Sequence, residues 1–157
     1  MIVVMFLRSL FVLASSVGVA HGCNCREPKV QFKMDHSDVV FRGTLIELRD
    51  SEVDHSHPFI RDTKKIAVFR MARVWKGDVG QIFEMPAVEE TSVCVGFDPD
   101  ALRLGTDLLI YADRSRLPGH QDEYYTSICG FHKVARGSKD LRKLGPGEDP
   151  LQLTKAK

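Results

Sequence analysis

Four cysteines are the residues of this chain whose chemistry and spacing are most informative. Cys23 and Cys25 form a Cys-x-Cys pair near the beginning, and Cys94 and Cys129 lie far downstream. An even set of cysteines in an exported chain favours two disulfides, whereas the same set in a cytosolic chain would favour metal binding or redox catalysis. A bond between Cys23 and Cys25 would close a strained, very small loop. The two pairings that join this end of the chain to Cys94 and Cys129 are therefore both preferred to it.

The segment before Cys23 predicts export. Residues 1–22 carry one charge, Arg8, and residues 10–20 (LFVLASSVGVA) carry none. This apolar run is too short to span a membrane as a helix, but it suits the core of a signal peptide. Small residues that suit cleavage precede Cys23 as Ala20-His21-Gly22, although cleavage directly after Ala20 also fits. We expect a secreted mature chain that begins at Cys23 and has no transmembrane segment.

The charge balance excludes one class of function. The chain has 22 Lys and Arg against 21 Asp and Glu, and removing Arg8 with the signal peptide leaves the two counts equal. A nucleic-acid-binding protein would carry a basic excess, so we expect no nucleic-acid partner. A length of 157 residues with 43% hydrophobic side chains allows one domain with a substantial core.

The sequence carries no common catalytic motif. It contains no nucleophile elbow, no zinc-protease helix motif, no phosphate-binding loop and no dinucleotide fingerprint. His55 and His57 lie in a charged segment and are interpreted as loop residues, not metal ligands. Asp98 and Asp100 fit a turn better than a calcium loop, because the other calcium ligands are missing. We therefore expect neither an enzyme nor a cofactor of the protein's own.

The elements that must position the cysteines are mostly strands. Runs rich in β-branched and aromatic residues predict five strands, over residues 38–49, 64–75, 81–88, 108–112 and 124–129. Gly43 predicts a bulge or bend in the first strand, and Pro86 predicts that the third is an edge or irregular strand. The charged residues 51–63 predict a long exposed hairpin loop.

Two short helices and a tail complete the prediction. Helices are expected over residues 28–36 and 138–144, the second with Ser138 as its cap and Gly145 as its end. Five short strands with peripheral helices fit a small closed barrel. We expect this domain to cover residues 23–145 and residues 146–157 to be a flexible tail.

Several ordered segments resemble the N-terminal domain of the tissue inhibitors of metalloproteinases. Cys23-Asn24-Cys25 after a signal peptide, followed by residues 38–44 (DVVFRGT), resembles the beginning of that domain. Its later segments are similar to residues 74–77 (VWKG), 86–94 (PAVEETSVC) and 125–129 (YTSIC). The resemblance covers roughly Cys23 to Leu144, and the small size is typical of minimal, single-domain, bacterial-type members.

The resemblance implies a mainly β fold, a five-stranded OB-type closed barrel (also called a netrin-like module) with short peripheral helices and two disulfides. It implies the pairings Cys23–Cys94 and Cys25–Cys129. The chain differs from the animal inhibitors, which have a third disulfide in this domain and a second, cysteine-rich domain. It also has Arg26 and Glu27 where the family has an apolar residue and a proline.

The resemblance further implies a function, that of a secreted, monomeric inhibitor of zinc metalloproteinases. The free amine and carbonyl of Cys23 would chelate the catalytic zinc, which the target protease supplies. An α-amine has a pKa of about 7.7–8.0, so it can become a metal ligand close to neutral pH. The residues that the family would use to bind the protease are Cys23, Asn24, Cys25, Arg26, Thr91, Ser92 and Val93.

Two other functions stay open from the sequence. The domain could be a non-inhibitory extracellular netrin-like binding module, which an extension of one or two residues before Cys23 would favour, because the amine would then lie away from the metal. In a bacterium, Cys23 could instead be the lipidated cysteine of an envelope protein, periplasmic or lipid-anchored. Ala20-His21-Gly22 lacks the leucine that is usual in such signals. Lipidation would use both the thiol and the amine of Cys23, leaving neither a disulfide nor a chelating group.

Overall fold

The structure is a computed structural model that describes Cys23 and residues 25–52, 65–88 and 94–153. The strands are β1 (Val39–Asp50), β2 (Lys65–Lys76), β3 (Ile82–Pro86), β4 (Asp107–Arg114), β5 (Tyr124–Tyr125) and β6 (His132–Val134). The helices are α1 (Val30–His36), α2 (Lys139–Leu144) and α3 (Pro150–Leu153), with one turn of 3-10 helix at Pro99–Leu102. The expected signal peptide and most of the expected loop at 51–63 lie outside the described residues.

The strands form one antiparallel sheet that curls into a nearly closed barrel. Five of them follow the order β3-β2-β1-β4-β5, and β6 also pairs with β4. The two ends of this order, β3 and β5, are in contact, which brings the sheet almost to closure. The predicted mainly β, OB-type barrel of five strands with short peripheral helices is therefore confirmed, and β6 is a further short strand. No helix among the described residues is long and apolar enough to cross a membrane.

Gly43 marks the bend in β1 that the sequence predicts. The register between β1 and β2 shifts between Arg42 and Gly43. A Cβ atom at Gly43 would lie 3.1 Å from the Arg70 carbonyl oxygen and 3.3 Å from Phe69 Cβ. Glycine therefore lets the two strands cross closely where the long hairpin curves around the core.

Alternation along the strands places apolar side chains on both faces of β4. Leu108, Ile110 and Ala112 face the barrel interior, and Leu109 and Tyr111 face the outside. The interior cluster also includes residues from β1, β2, β3 and the 3-10 turn: Phe41, Leu45, Phe69, Met71, Met85, Ala101 and Leu102. The outer cluster is covered by partly buried side chains that include Met34 of α1 and Leu141 and Leu144 of α2. The helices are therefore attached to the outer face of β4.

Helix α2 has the ends that the sequence predicts. Ser138 is its cap, and the Ser138 hydroxyl accepts a hydrogen bond of 3.2 Å from the Asp140 amide. Gly145 follows the last residue with a φ of 77°, in the left-handed region that glycine adopts without strain. Helix α1 begins at Val30, slightly after the predicted start at residue 28.

The segment 124–129 differs from the prediction of one continuous strand. Strand β5 ends at Tyr125, and Cys129 lies in a turn. Local hydrogen bonding explains the difference, because the Cys129 amide donates to the Ser127 hydroxyl at 3.1 Å. A serine side chain that bonds the backbone two residues later competes with strand pairing.

The beginning of the expected flexible tail is folded against β2. Glu148 pairs with Val74 through two backbone hydrogen bonds of 2.7 and 3.0 Å. Gly147 lies against the Trp75 ring, where a Cβ atom would come within 2.8 Å of Trp75 Cε2. This part of the tail therefore contacts the barrel through a glycine and an indole ring, which composition does not reveal, and the flexibility of the tail stays a prediction. Residues 154–157 lie outside the described residues.

Candidate functional site

The cysteines form two disulfides that fasten the beginning of the domain to one side of the barrel. Cys23 is bonded to Cys94 and Cys25 to Cys129, with Cα–Cα distances of 5.7 and 5.0 Å. These are the pairings that the family resemblance implies. They cross 71 and 104 positions of sequence, so each joins the Cys-x-Cys pair to a distant segment. We call Cys23 and residues 25–28 the N-terminal strip.

The two distant segments are hydrogen-bonded to each other. Val95 and Ser127 form a β-bridge, and the Gly96 amide donates to the Thr126 carbonyl at 2.8 Å. The Cys94 carbonyl accepts from both the Ser127 hydroxyl at 2.7 Å and the Ile128 amide at 3.2 Å. Residues 94–97 and 126–130 therefore form one unit, which we call the platform. Both cysteines of the strip are bonded to it.

The platform also fixes the two ends of the segment that contains Thr91, Ser92 and Val93. The Phe97 amide donates to the Val88 carbonyl at 2.7 Å. Cys94 has a φ of 63°, a left-handed conformation that costs a non-glycine residue roughly 1–3 kcal/mol. The chain on either side of residues 89–93 is therefore held to the same unit that carries the disulfides.

A salt bridge adds a third attachment to the strip. No backbone hydrogen bond joins residues 25–28 to another described residue. The Glu27 carboxylate instead accepts from Lys133 Nζ and lies 3.7 Å from Lys33 Nζ. Hydrogen bonding to Lys133, followed by its charge, lowers the pKa of Glu27. We call this Glu27–Lys133 pair the clasp.

A buried ion pair lies behind the clasp. Lys33 of α1 is fully buried, and its Nζ donates to the Asp140 carboxylate and, at 3.0 Å, to the Gly130 carbonyl of the platform. Tyr111 of β4 donates its hydroxyl to the same carboxylate at 3.2 Å, and Lys133 Nζ lies 3.5 Å from it. Burial raises the pKa of Asp140, but its bonds to Lys33 and the charge of Lys133 outweigh burial and lower it. Burial also lowers the pKa of Lys33, and its hydrogen bond to Asp140 only partly opposes this. The pair joins α1, α2, β4 and the platform.

His132 lies beneath the platform. The residue is 8% exposed, its ring centroid lies 5.1 Å from that of Phe97, and its Nε2 accepts a hydrogen bond of 3.0 Å from the Asp98 amide. Burial lowers the pKa of His132, and the Ser127 backbone and the Asp98 charge only partly oppose this. The neutral ring therefore supports the platform, because a protonated Nε2 could not accept that bond.

The structure brings together some of the residues that the sequence singled out. Cys23 is half-buried, Cys25 and Arg26 are exposed, and all three lie on the strip. Asn24, Thr91, Ser92 and Val93 lie outside the described residues, so their placement stays a prediction. His55 and His57 also lie outside them. Sequence reasoning missed the roles of Lys33, Lys133 and Asp140, since no local pattern pairs residues 107 positions apart.

A pocket opens where the strip meets the platform. Its volume is about 340 Å³, and it is lined by Cys25, Glu27, Ile128, Cys129, Gly130 and Lys133. The Sγ atoms of Cys25, Cys94 and Cys129 lie within 4.8 Å of one another, a spacing that could suit a metal ion. All three sulfurs are in disulfides, so they offer no thiolate to a metal.

Comparisons with known proteins do not assign a family. No protein-family model matches this chain, and no curated protein matches it. The likeness to the tissue inhibitors of metalloproteinases therefore stays a hypothesis, carried by the segments quoted above.

Proposed function

We propose that this protein is a secreted inhibitor of zinc metalloproteinases that binds the catalytic zinc of its target through Cys23. The observation that carries the proposal is the double attachment of the strip. Both cysteines of the Cys-x-Cys pair are bonded to one platform, and Glu27 is clasped beside them. Folding of the barrel does not require three attachments on the first residues of the mature domain. Such attachments suit a segment that must enter the rigid active-site cleft of a protease.

The chemistry begins with the open coordination position of a catalytic zinc. Such a zinc has three protein ligands and a fourth position that holds water. The amine and carbonyl oxygen of Cys23 belong to one residue, so they can form a five-membered chelate and displace that water. The amine must be unprotonated to bind, and its pKa of about 7.7–8.0 makes this accessible near neutral pH. Without the water, the protease loses its nucleophile.

The attachments would increase affinity by reducing the cost of ordering the strip. Each side chain or loop segment that becomes ordered on association costs free energy, and pre-organised segments avoid most of that cost. In this proposal the side chain of Asn24 enters the substrate pocket of the target protease beside its zinc. Arg26 lies at the edge of the contact surface, and Thr91, Ser92 and Val93 widen that surface. The protein would need no metal of its own.

The disulfide of Cys23 also bears on the lipid-anchored alternative. A lipid anchor would require the Cys23 sulfur, which is bonded to Cys94. We therefore propose that the mature chain is released from the membrane and is not retained by an acyl chain.

The decisive experiment compares one protein before and after its amine is uncovered. The mature domain is produced with a removable leader directly before Cys23, and inhibition of a panel of zinc metalloproteinases is measured before and after the leader is removed. We expect inhibition to tighten by at least about 100-fold on removal, which corresponds to about 2.7 kcal/mol. The melting temperature should hardly change, because an exposed terminus contributes little to folding.

Two outcomes would contradict the proposal. Equal inhibition by the two forms would exclude chelation by the amine and would favour a netrin-like binding module. Absence of inhibition by both forms across the panel would count against the inhibitor function itself.

A further inference from the structure

The two disulfides lie side by side on the platform. Because the Sγ atoms of Cys25, Cys94 and Cys129 are all within 4.8 Å of one another, each disulfide has a sulfur of the other as its neighbour. Thiol–disulfide exchange requires a thiolate to approach a sulfur of an existing bond. If either Cys25 or Cys129 becomes a thiolate, the sulfur of Cys94 is already within a short movement of it.

The two bonds differ in their accessibility to a small molecule. Cys25 is exposed, and the pocket of about 340 Å³ is lined by both sulfur-bearing residues of the Cys25–Cys129 bond. Cys23, Cys94 and Cys129 are all half-buried, but of these three only Cys129 lines that pocket. Exposed disulfides are the ones that react with external thiols. The Cys25–Cys129 bond is therefore the one that a small thiol can reach first.

The charged side chains beside the pocket are paired. Glu27 and Lys133 both line the pocket, and the Glu27 carboxylate accepts from Lys133 Nζ. Lys33 Nζ is bonded to the Asp140 carboxylate and to the carbonyl of Gly130, the residue that follows Cys129. These charges balance, so the exchange rests on the spacing of the sulfurs and on the accessibility of the Cys25–Cys129 bond.

We propose that this sulfur cluster is a thiol–disulfide exchange site that accepts a small monothiol such as glutathione. The thiolate of the small molecule attacks Cys129 Sγ, forms a mixed disulfide there, and displaces Cys25 as a thiolate. The Cys25 thiolate then attacks Cys94 Sγ, forms a Cys25–Cys94 bond, and displaces Cys23. The Cys23 thiolate takes up the proton that the small thiol lost.

The reaction balances with one thiol as its only co-reactant. Two sulfur–sulfur bonds exist before it and two after it, because the mixed disulfide at Cys129 replaces one bond and Cys25–Cys94 replaces the other. The product has a free thiol at Cys23, the first cysteine of the strip. The inference does not rest on the proposed function, and it holds or fails whether or not the protein inhibits a protease.

The test is to treat the oxidised mature protein with a limiting amount of glutathione, quench it with acid, and alkylate it under conditions that prevent further exchange. Peptide mapping by mass spectrometry then locates each modification. Trypsin leaves Cys23 and Cys25 on one peptide ending at Arg26, so fragment ions that break the chain at Asn24 must distinguish them. We expect alkylated Cys23, glutathione on Cys129, and a Cys25–Cys94 cross-link in the same molecules. Alkylation confined to Cys25, with Cys23–Cys94 intact, would overturn the proposal.

Two variants provide matched controls. Cys129→Ser leaves Cys25 without its partner, so Cys23 should become partly alkylated even without added thiol. In the double variant Cys25→Ser with Cys129→Ser, no internal thiolate is present, and Cys23 should stay protected at the glutathione concentration that exposes it in the natural protein. Equal alkylation of Cys23 in the double variant and the natural protein would show direct reduction of Cys23–Cys94 and refute exchange. If the variants do not fold, the mapping of the natural protein decides alone.

Discussion

The barrel interior and the N-terminal strip are stabilised by different kinds of interaction. The interior consists of apolar side chains such as Phe41, Phe69 and Ile110, which are fully buried and pack without directional bonds. Residues 25–28 of the strip have no backbone hydrogen bond to another described residue, and the strip is attached through two disulfides and the clasp. Burial of apolar area tolerates many arrangements, whereas each bond of the strip requires one particular partner.

Because of this difference, we expect stability and the proposed inhibitory activity to depend on different regions of the molecule. The barrel should account for most of the free energy of unfolding, and the strip should account for most of the binding to a target. Strand β4 connects the two regions, because its inner face belongs to the core and its outer face presents Tyr111 to Asp140. Substitutions in each region should therefore affect different measurements.

The largest loss of stability is expected from a truncation inside the barrel. Phe69 is fully buried, with its ring centroid 5.8 Å from that of Phe41 and 6.0 Å from that of Phe97. Phe69→Ala should lower the free energy of unfolding by about 3–5 kcal/mol, measured by denaturant titration. The control is Phe32→Ala, at a side chain that is 47% exposed, which should cost less than about 1 kcal/mol. Similar losses for the two variants would contradict a core centred on Phe69.

The second prediction concerns the buried pair of Lys33 and Asp140, which lies between the barrel and the strip. Asp140→Asn removes the charge that neutralises the fully buried Lys33, and an unpaired buried charge costs about 3–5 kcal/mol, somewhat less if Lys33 loses its proton. The matched double variant, Lys33→Met with Asp140→Asn, removes both charges and keeps an oxygen that Tyr111 can bond. It should recover at least half of the loss in a denaturant titration. A single variant as stable as the natural protein would mean that the pair is not buried in solution.

Acid should weaken the platform through His132. Burial lowers the pKa of His132 in the folded protein, so the unfolded chain binds a proton first as the pH falls. The free energy of unfolding should therefore decrease as the pH falls below about 6.5, the ordinary pKa of histidine, until the lower pKa of the folded protein is reached. His132→Gln should remove this part of the pH dependence in urea titrations. An unchanged slope between the two proteins would show that His132 does not titrate as a buried group.

The clasp should give the smallest effect on stability and a clear effect on function. Lys133→Met removes the main partner of Glu27, whose side chain is 61% exposed, so the free energy of unfolding should change by no more than about 1 kcal/mol. If the proposed function is right, inhibition of a sensitive metalloproteinase should weaken by about tenfold, because the strip loses an attachment. Lys133→Arg, which keeps the charge, should restore inhibition. Unchanged inhibition by Lys133→Met would show that the disulfides alone position the strip.

Much of the barrel could be predicted from local pattern alone. The strands β1, β2 and β4, the bend at Gly43 and the cap at Ser138 all follow from alternation, glycine placement and side chains that bond their own backbone. These features depend on residues close together in the chain, where the physical preference of each residue type acts directly. The resemblance also implied the two disulfide pairings that the structure contains, although the cysteines by themselves left two pairings open.

The surroundings of the strip were decided by contacts between distant residues. The buried pair of Lys33 and Asp140 and the contact of Gly147 with Trp75 each join segments whose local sequence shows no sign of the other. Ser127 likewise interrupts a run that favours a strand, because its hydroxyl bonds the Cys129 amide and the Cys94 carbonyl. Sequence alone therefore determined the long strands β1, β2 and β4 and the distribution of apolar residues, since period and propensity are local properties. Only the tertiary structure decided which charges are buried and which segments support the strip, because those choices depend on the partners that folding brings into contact.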